Sequence, residues 1–292
     1  MTLTEHLGPI GLWSAGLRSD DPAHHGEIRE AAAELEELGF SALWIGGSPR
    51  FAQASLVLEA TERVVVGTSI VSIWQDAAAD VAAQFAALDP GLRERVLLGL
   101  GVSHTALAPQ YSRPYTAMRE YLTALDEAPV PVPAGQRMLA ALGPRMVRLA
   151  RDRAAGAIPY LVTAEYTAQA RELLGEEAFL APEVKIVLDT DLSRARETAR
   201  DFLSFYLPLP NYTNNLLRLG FTEADFEGNG SDRLVDALFA LGDADRIRAR
   251  VDEYLAAGAD HLAVQVVLPN AKERVFTLAR PEWRELAGIL PL

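Results

Sequence analysis

The chain contains no cysteine. Disulfides, thiolate nucleophiles and cysteine-ligated metals are therefore excluded, and the absence fits a cytoplasmic setting. Positive charge is also scarce, with 27 Lys and Arg against 40 Asp and Glu and a formal charge of −13. That balance argues against a general binder of nucleic acid or anionic membrane, while leaving room for a local basic pocket around an anionic cofactor. No apolar run approaches the roughly 20 residues of a membrane span. Residues 1–6 lack a basic region followed by an apolar core, so no signal peptide is expected. Two enzymatic signatures are missing too. The first βα turn, Trp13-Ser14-Ala15-Gly16, does not carry Gly-x-Gly-x-x-Gly, and no Gly-x-Ser-x-Gly elbow occurs. His24 and His25 are adjacent and point apart on a helix, so they do not have metal-ligand spacing.

What the chain does have is 49% apolar residues over 292 positions, enough for one α/β barrel of about 250 residues. Three times a helix-period stretch runs into a glycine and then a short apolar strand. Residues 28–39 end on Gly39 and precede residues 40–45. Residues 146–156 end on Gly156 and precede 157–162. Residues 247–258 end on Gly258 and precede 261–267. Helices that stop on a glycine and feed buried strands are the repeat of a parallel α/β fold, whose chemistry sits in the loops after the strands. The remaining pattern adds strands at 10–13, 64–71, 96–101, 138–142 and 184–188, with helices at 54–60, 77–88, 114–125, 163–174, 193–207 and 282–289. Residues 208–232 break the pattern with Pro, Asn, Gly and aromatics, and are expected to form an inserted excursion after the seventh helix, over the site. Eight strand-like runs favour a closed (β/α)8 TIM barrel; a doubly wound open sheet is the alternative.

The strand ends Val66-Gly67-Thr68-Ser69-Ile70-Val71, Arg95-Val96-Leu97-Leu98-Gly99-Leu100-Gly101, Leu142-Gly143-Pro144-Arg145-Met146 and Ala257-Gly258-Ala259-Asp260-His261-Leu262 together resemble the bacterial luciferase-like superfamily. The branch they are most similar to is that of the coenzyme F-420 (deazaflavin)-dependent oxidoreductases. The resemblance implies a single barrel domain over residues 1–292, with an insertion at about 208–232. It also implies hydride exchange between a deazaflavin and a small organic substrate, at the carboxyl rim of the strands. FMN-dependent monooxygenation on the same scaffold, and cofactor binding without turnover, are the competing implications.

On this resemblance Ser69-Ile70 marks the place of a non-prolyl cis peptide that backs the tricyclic ring. Leu142, Gly143 and Arg145 mark the cofactor phosphate site, where the N–H groups of a helix start favour an anion. Val102 and Ser103 fall in a cofactor-contacting loop, and His104 stands where an acid–base group is expected; an imidazole suits that work. Trp13 and Trp74 end strands and are candidates for the pocket wall, and Asn211, Tyr212 and Asn214 for a lid. Gly46 and Gly47 fall by the cofactor but replace the Asp-His pair that ends this strand in many deazaflavin enzymes, so neither of those roles carries over. The resemblance further implies a homodimer.

Overall fold

In the computed structural model, which describes residues 7–274 and 276–292, the helix–glycine–strand units assemble into one parallel sheet with helices outside it. Residues 1–6, over which no signal-peptide pattern was found, lie outside the described residues. The strands are β1 (Ile10–Ser14), β2 (Ala42–Gly46), β3 (Val65–Ser69), β4 (Val71–Ser72), β5 (Val96–Gly101), β6 (Arg137–Leu139), β7 (Gly156–Ala157), β8 (Phe179–Leu180), β9 (Glu183–Val187), β10 (Phe239–Leu241) and β11 (Leu262–Val266). The helices are α1 (His25–Glu37), α2 (Ala54–Glu59), α3 (Ala78–Ala87), α4 (Pro90–Arg93), α5 (Pro114–Asp126), α6 (Pro144–Arg153), α7 (Ala164–Leu174), α8 (Leu192–Tyr206), α9 (Pro210–Arg218), α10 (Asp232–Leu238), α11 (Ala244–Ala256), α12 (Ala271–Arg274) and α13 (Arg280–Ile289).

Local chemistry sets many of these bounds. The Thr163 hydroxyl accepts from the Tyr166 N–H to start α7, and the Asp191 and Asp243 carboxylates do the same for α8 and α11. Each such cap contributes about 1 kcal/mol. In α1 the buried residues Ile28, Ala31, Ala32 and Leu35 form one stripe against the sheet. Gly39 and Gly258 follow their helices at φ +100° and +98°, a conformation only glycine adopts freely.

Gly156 departs from that expectation. Helix α6 stops at Arg153, and Gly156 belongs to β7, where a Cβ would stand 1.8 Å from the Phe179 carbonyl oxygen. The strand expected over 157–162 is confined to β7, because Pro159 has no N–H and Leu161 turns to φ +55°. The strand expected over 64–71 is divided into β3 and β4.

Strand order is β10-β9-β11-β1-β2-β3-β5-β6-β7-β8, with β4 beside β5, and all pairings among the described residues are parallel. The sheet curls back on itself through residues 179–187. On one side Ala181 and Glu183 donate to the carbonyls of Ala157 and Pro159; on the other, Ala263 donates to that of Pro182.

The inside of the curl is filled by setting a large side chain of one strand over a glycine of the next. His261 covers Gly11, Trp13 covers Gly46, Trp44 covers Gly67 and Ile70 covers Gly101, each within 2.1–2.6 Å of where a Cβ would be. Interiors packed this closely admit no extra methyl without rearrangement. Of these, Trp13 and Ile70 border a space left at the carboxyl ends of the strands.

Candidate active site

That space is a cavity of about 540 Å³ at the carboxyl ends of the strands, within the roughly 300–1,000 Å³ usual for small-molecule sites. Every residue singled out in the sequence as cofactor-binding or catalytic lines it except Gly46: Trp13, Gly47, Ser69, Ile70, Val102, Ser103, His104, Leu142, Gly143 and Arg145. Asn211, Tyr212 and Asn214 line it as well.

One wall comes from β3 to β5. The Ser69–Ile70 peptide is cis. Thr68 locks this turn to β5, its hydroxyl accepting from the Gly99 N–H at 2.9 Å and donating to the Gly99 carbonyl at 3.0 Å. After Gly101 the chain turns through Ser103 at φ +56°. The loop is held from both flanks: the Trp74 indole N–H donates to the Val102 carbonyl at 2.6 Å, and the Asn211 side chain donates to that of Ser103 at 3.2 Å. Trp74 thus supports the wall from behind and is not among the lining residues.

His104 emerges from this loop with its ring centre 4.8 Å from that of Tyr212. Its Nδ1 is sealed from solvent and meets no partner. Burial pushes its pKa down from the ordinary histidine value, so the ring is neutral at pH 7. A proton on Nδ1 would be a buried donor without an acceptor, which favours the tautomer protonated on Nε2. His104 can therefore donate one hydrogen bond to a ligand oxygen.

The floor explains the paired glycines. Trp13 is 4% exposed, and its indole leans across Gly46, where a Cβ would lie 2.1 Å from Cζ2. Gly46 accordingly lies beneath the floor and Trp13 lines the cavity. The indole N–H is sealed without a partner, so Trp13 offers an apolar face. Gly47 does reach the cavity, at φ +71°. Arg18 fixes both residues, donating from Nε to the Gly46 carbonyl at 3.0 Å and from Nη2 to that of Gly47.

Tyr160, unmarked in the sequence, completes the floor. Its hydroxyl donates to Gln265 Oε1 at 3.0 Å and lies 3.0 Å from that of Tyr206. Its ring is 5.7 Å from Trp13, and the Lys185 ammonium sits 3.9 Å from its centre. Lys185 is paired with Glu183, both 1% exposed. Burial pushes the Glu183 carboxyl pKa up and the Lys185 ammonium pKa down, each opposed by its partner. The phenol pKa values of Tyr160 and Tyr212 rise well above normal through burial, which keeps both neutral. The alternation Glu183-x-Lys185 in an otherwise apolar strand was the available signal for this pair; nothing local pointed to Tyr160.

At the far end α6 begins on Gly143 and Pro144, and Arg145 lies over the Tyr115 ring at 4.2 Å. Arg218, from α9, reaches the same cavity and donates to Asn215 Oδ1 at 3.0 Å. Among the described residues no carboxylate pairs with either arginine, and none lines the cavity.

Comparison with known proteins bears on the fold and the family. A family model described as luciferase-like monooxygenase matches residues 10–261. A Mycobacterium tuberculosis protein, provisionally named a coenzyme F-420-dependent oxidoreductase, is 24% identical over 92% of this chain and 96% of its own. The coenzyme F-420-dependent tetrahydromethanopterin reductase of Methanopyrus kandleri superposes with a TM-score of 0.70 at 18% identity, covering 95% of this chain and 97% of that one. The oxygenating component of 3,6-diketocamphane monooxygenase from Pseudomonas putida, solved with FMN, gives 0.67 at 13% identity, covering 97% and 99%.

Proposed function

We propose that this chain, which belongs to the luciferase-like monooxygenase family, is a deazaflavin-dependent oxidoreductase that transfers hydride to or from a small organic substrate. The observation that carries the reading is convergence. Residues from five separate strand ends, those of β1, β2, β3, β5 and β6, were marked in the sequence and line one cavity of about 540 Å³. On this reading the curled sheet is the closed (β/α)8 barrel, joined through residues 179–187, and 208–232 is its excursion over the site.

The lining fits a planar heterocycle with an anionic tail. Trp13 and Ile70 give apolar surfaces for the ring system, and Ser69 and Val102 border them. The start of α6 with Leu142, Gly143 and Arg145 gives N–H groups and, for phosphate, a cation that no carboxylate pairs among the described residues. When bound, the deazaflavin supplies or accepts the hydride, and the protein's part is binding, orientation and exclusion of water. Neutral His104 holds the substrate oxygen through Nε2–H beside the ring. Tyr212 packs against that imidazole and shields it from water, and Asn211 holds its loop. With Trp13 occupying the space above Gly46, the aspartate of the Asp-His pair of related enzymes has no room, and His104 is the histidine that lines the cavity.

The same reading carries a homodimer in a cytoplasmic setting. No helix among the described residues is long and apolar enough to cross a membrane.

Titration of the purified protein into coenzyme F-420, followed by quenching of the cofactor fluorescence, tests the proposal. Saturable binding is expected, with Arg145→Glu weakening it roughly fivefold or more by removing one charge contact. Preference for FMN, with oxygen uptake on reduction, would move the chain to the monooxygenase reading. Binding of neither cofactor would remove both.

A further inference from the structure

The charge and polarity of the cavity are divided between its ends. Both cationic side chains, Arg145 and Arg218, lie toward the β6–α6 end; Arg218 is near Tyr166, whose hydroxyl donates to the Ala141 carbonyl at 2.6 Å. The other end is aromatic and aliphatic. Phe205 and Tyr206 ring centres are 5.0 Å apart, Tyr206 and Tyr212 5.5 Å, and Tyr212 and His104 4.8 Å. Leu107 stands just beyond His104.

Leu107 is 53% exposed and Phe205 51%, and both line the cavity. Large apolar groups left this open beside a pocket mark surface that a ligand covers. Part of the polar lining at this end is engaged elsewhere. The Tyr160 and Tyr206 hydroxyls bond each other and Gln265, and the Trp13 N–H is sealed. His104 Nε2–H lines this end without a partner among the described residues, as do the Tyr212 hydroxyl and the Asn214 amide.

Resting on the oxidoreductase reading above, we infer that the substrate is a neutral, largely apolar compound that carries an acceptor oxygen. Its oxygen accepts from His104, and its apolar body lies between Tyr212, Phe205 and Leu107. A cationic substrate would find no carboxylate at this cavity. An anionic one would be drawn to Arg145 and Arg218, at the end assigned to the cofactor's own charge.

The probe is the neutral naphthyl ketone prodan, whose emission shifts to the blue in apolar surroundings, displaced in turn by 2-acetonaphthone, 2-naphthoate and 2-naphthylmethylammonium. We expect saturable, blue-shifted binding of prodan, with the neutral ketone displacing it at concentrations roughly tenfold lower than either ion. The variant Leu107→Asp with Phe205→Asp should weaken prodan roughly tenfold through loss of apolar cover. His104→Phe should weaken 2-acetonaphthone about fivefold while sparing naphthalene. Both variants alter half-open positions, and their melting temperatures report that they remain folded.

Equal displacement by 2-naphthoate, or prodan affinity unchanged in the double variant, would overturn the inference. So would displacement of prodan by coenzyme F-420, since the probe would then occupy the ring's slot. Cofactor affinity is read separately from its own fluorescence. A protein that discriminates among the naphthyl probes but binds no deazaflavin keeps this pocket chemistry and loses the oxidoreductase reading.

Discussion

At the scale of single residues the site turns on one exchange of volume. Trp13 fills the place above Gly46 that a side chain on β2 would need, so the floor is an indole instead of a polar pair. Gly46→Ala inserts a methyl 2.1 Å from Trp13 Cζ2 and should cost about 2 kcal/mol of stability, the usual cost of overpacking a tight interior. In a Trp13→Leu background the same alanine should be nearly harmless, and urea unfolding of the four proteins in the cycle measures the coupling. Additive effects would mean that the indole is not held over Gly46. The two glycines were visible in the sequence as a departure from the resembling enzymes. Their cause was not, because it depends on which residue of β1 is opposite which residue of β2, and register between distant strands leaves no local mark.

At the scale of elements, β9 carries the least expected chemistry. Glu183 and Lys185 alternate on one face and meet inside the curl at 1% exposure, with the ammonium against the Tyr160 ring. Removing one partner strands a buried charge. Lys185→Met should therefore destabilise the protein by about 3–5 kcal/mol, and Lys185→Met with Glu183→Leu should recover most of that loss, since an apolar pair of similar volume needs no desolvation. Urea midpoints separate the two outcomes; a double variant no more stable than the single one would show that the pair holds the fold by more than charge balance. Elements with local signals were the legible ones. Capped helices such as α7, α8 and α11, and the apolar runs of β3 and β5, depend on neighbours a few residues away. Residues 208–232 read as broken pattern because Pro208, Pro210, Gly220, Gly228 and Gly230 interrupt them. They fold instead into α9, a short 3-10 turn (Glu223–Asn229) and the start of α10. The stripe Tyr212, Asn215, Leu216 on α9 has helical spacing, but its polar middle member hid it. The cavity followed from the fold, whereas Tyr160, Arg218 and the buried pair required knowing which strand ends meet.

At the scale of the whole molecule, His261 ties the two ends of the chain together. Its Nε2 accepts from the Trp44 indole N–H at 3.0 Å, so Nδ1 carries the proton and donates to the Gly8 carbonyl at 2.7 Å. One neutral ring thereby joins β2, the residue before β11 and the segment leading into β1. It is fully buried, and burial pushes its pKa down to about 4, opposed by the bond to Gly8. The unfolded chain takes up a proton near the ordinary value of about 6.5, which the folded chain resists until about 4. Protons consequently favour the unfolded state across that window. The contribution of His261 is complete above pH 6.5 and falls as pH drops toward 4, by about 3 kcal/mol in all. Most buried carboxylates lose their contributions at lower pH, so urea unfolding between pH 7 and pH 5 isolates the histidines. His104 adds a loss of the same sign, because burial depresses it as well. A His261→Gln variant cannot titrate. It should start less stable at pH 7 yet lose about 2 kcal/mol less than the parent between pH 7 and pH 5, and equal losses in the two proteins would show that His261 is not the group that opens the fold to acid.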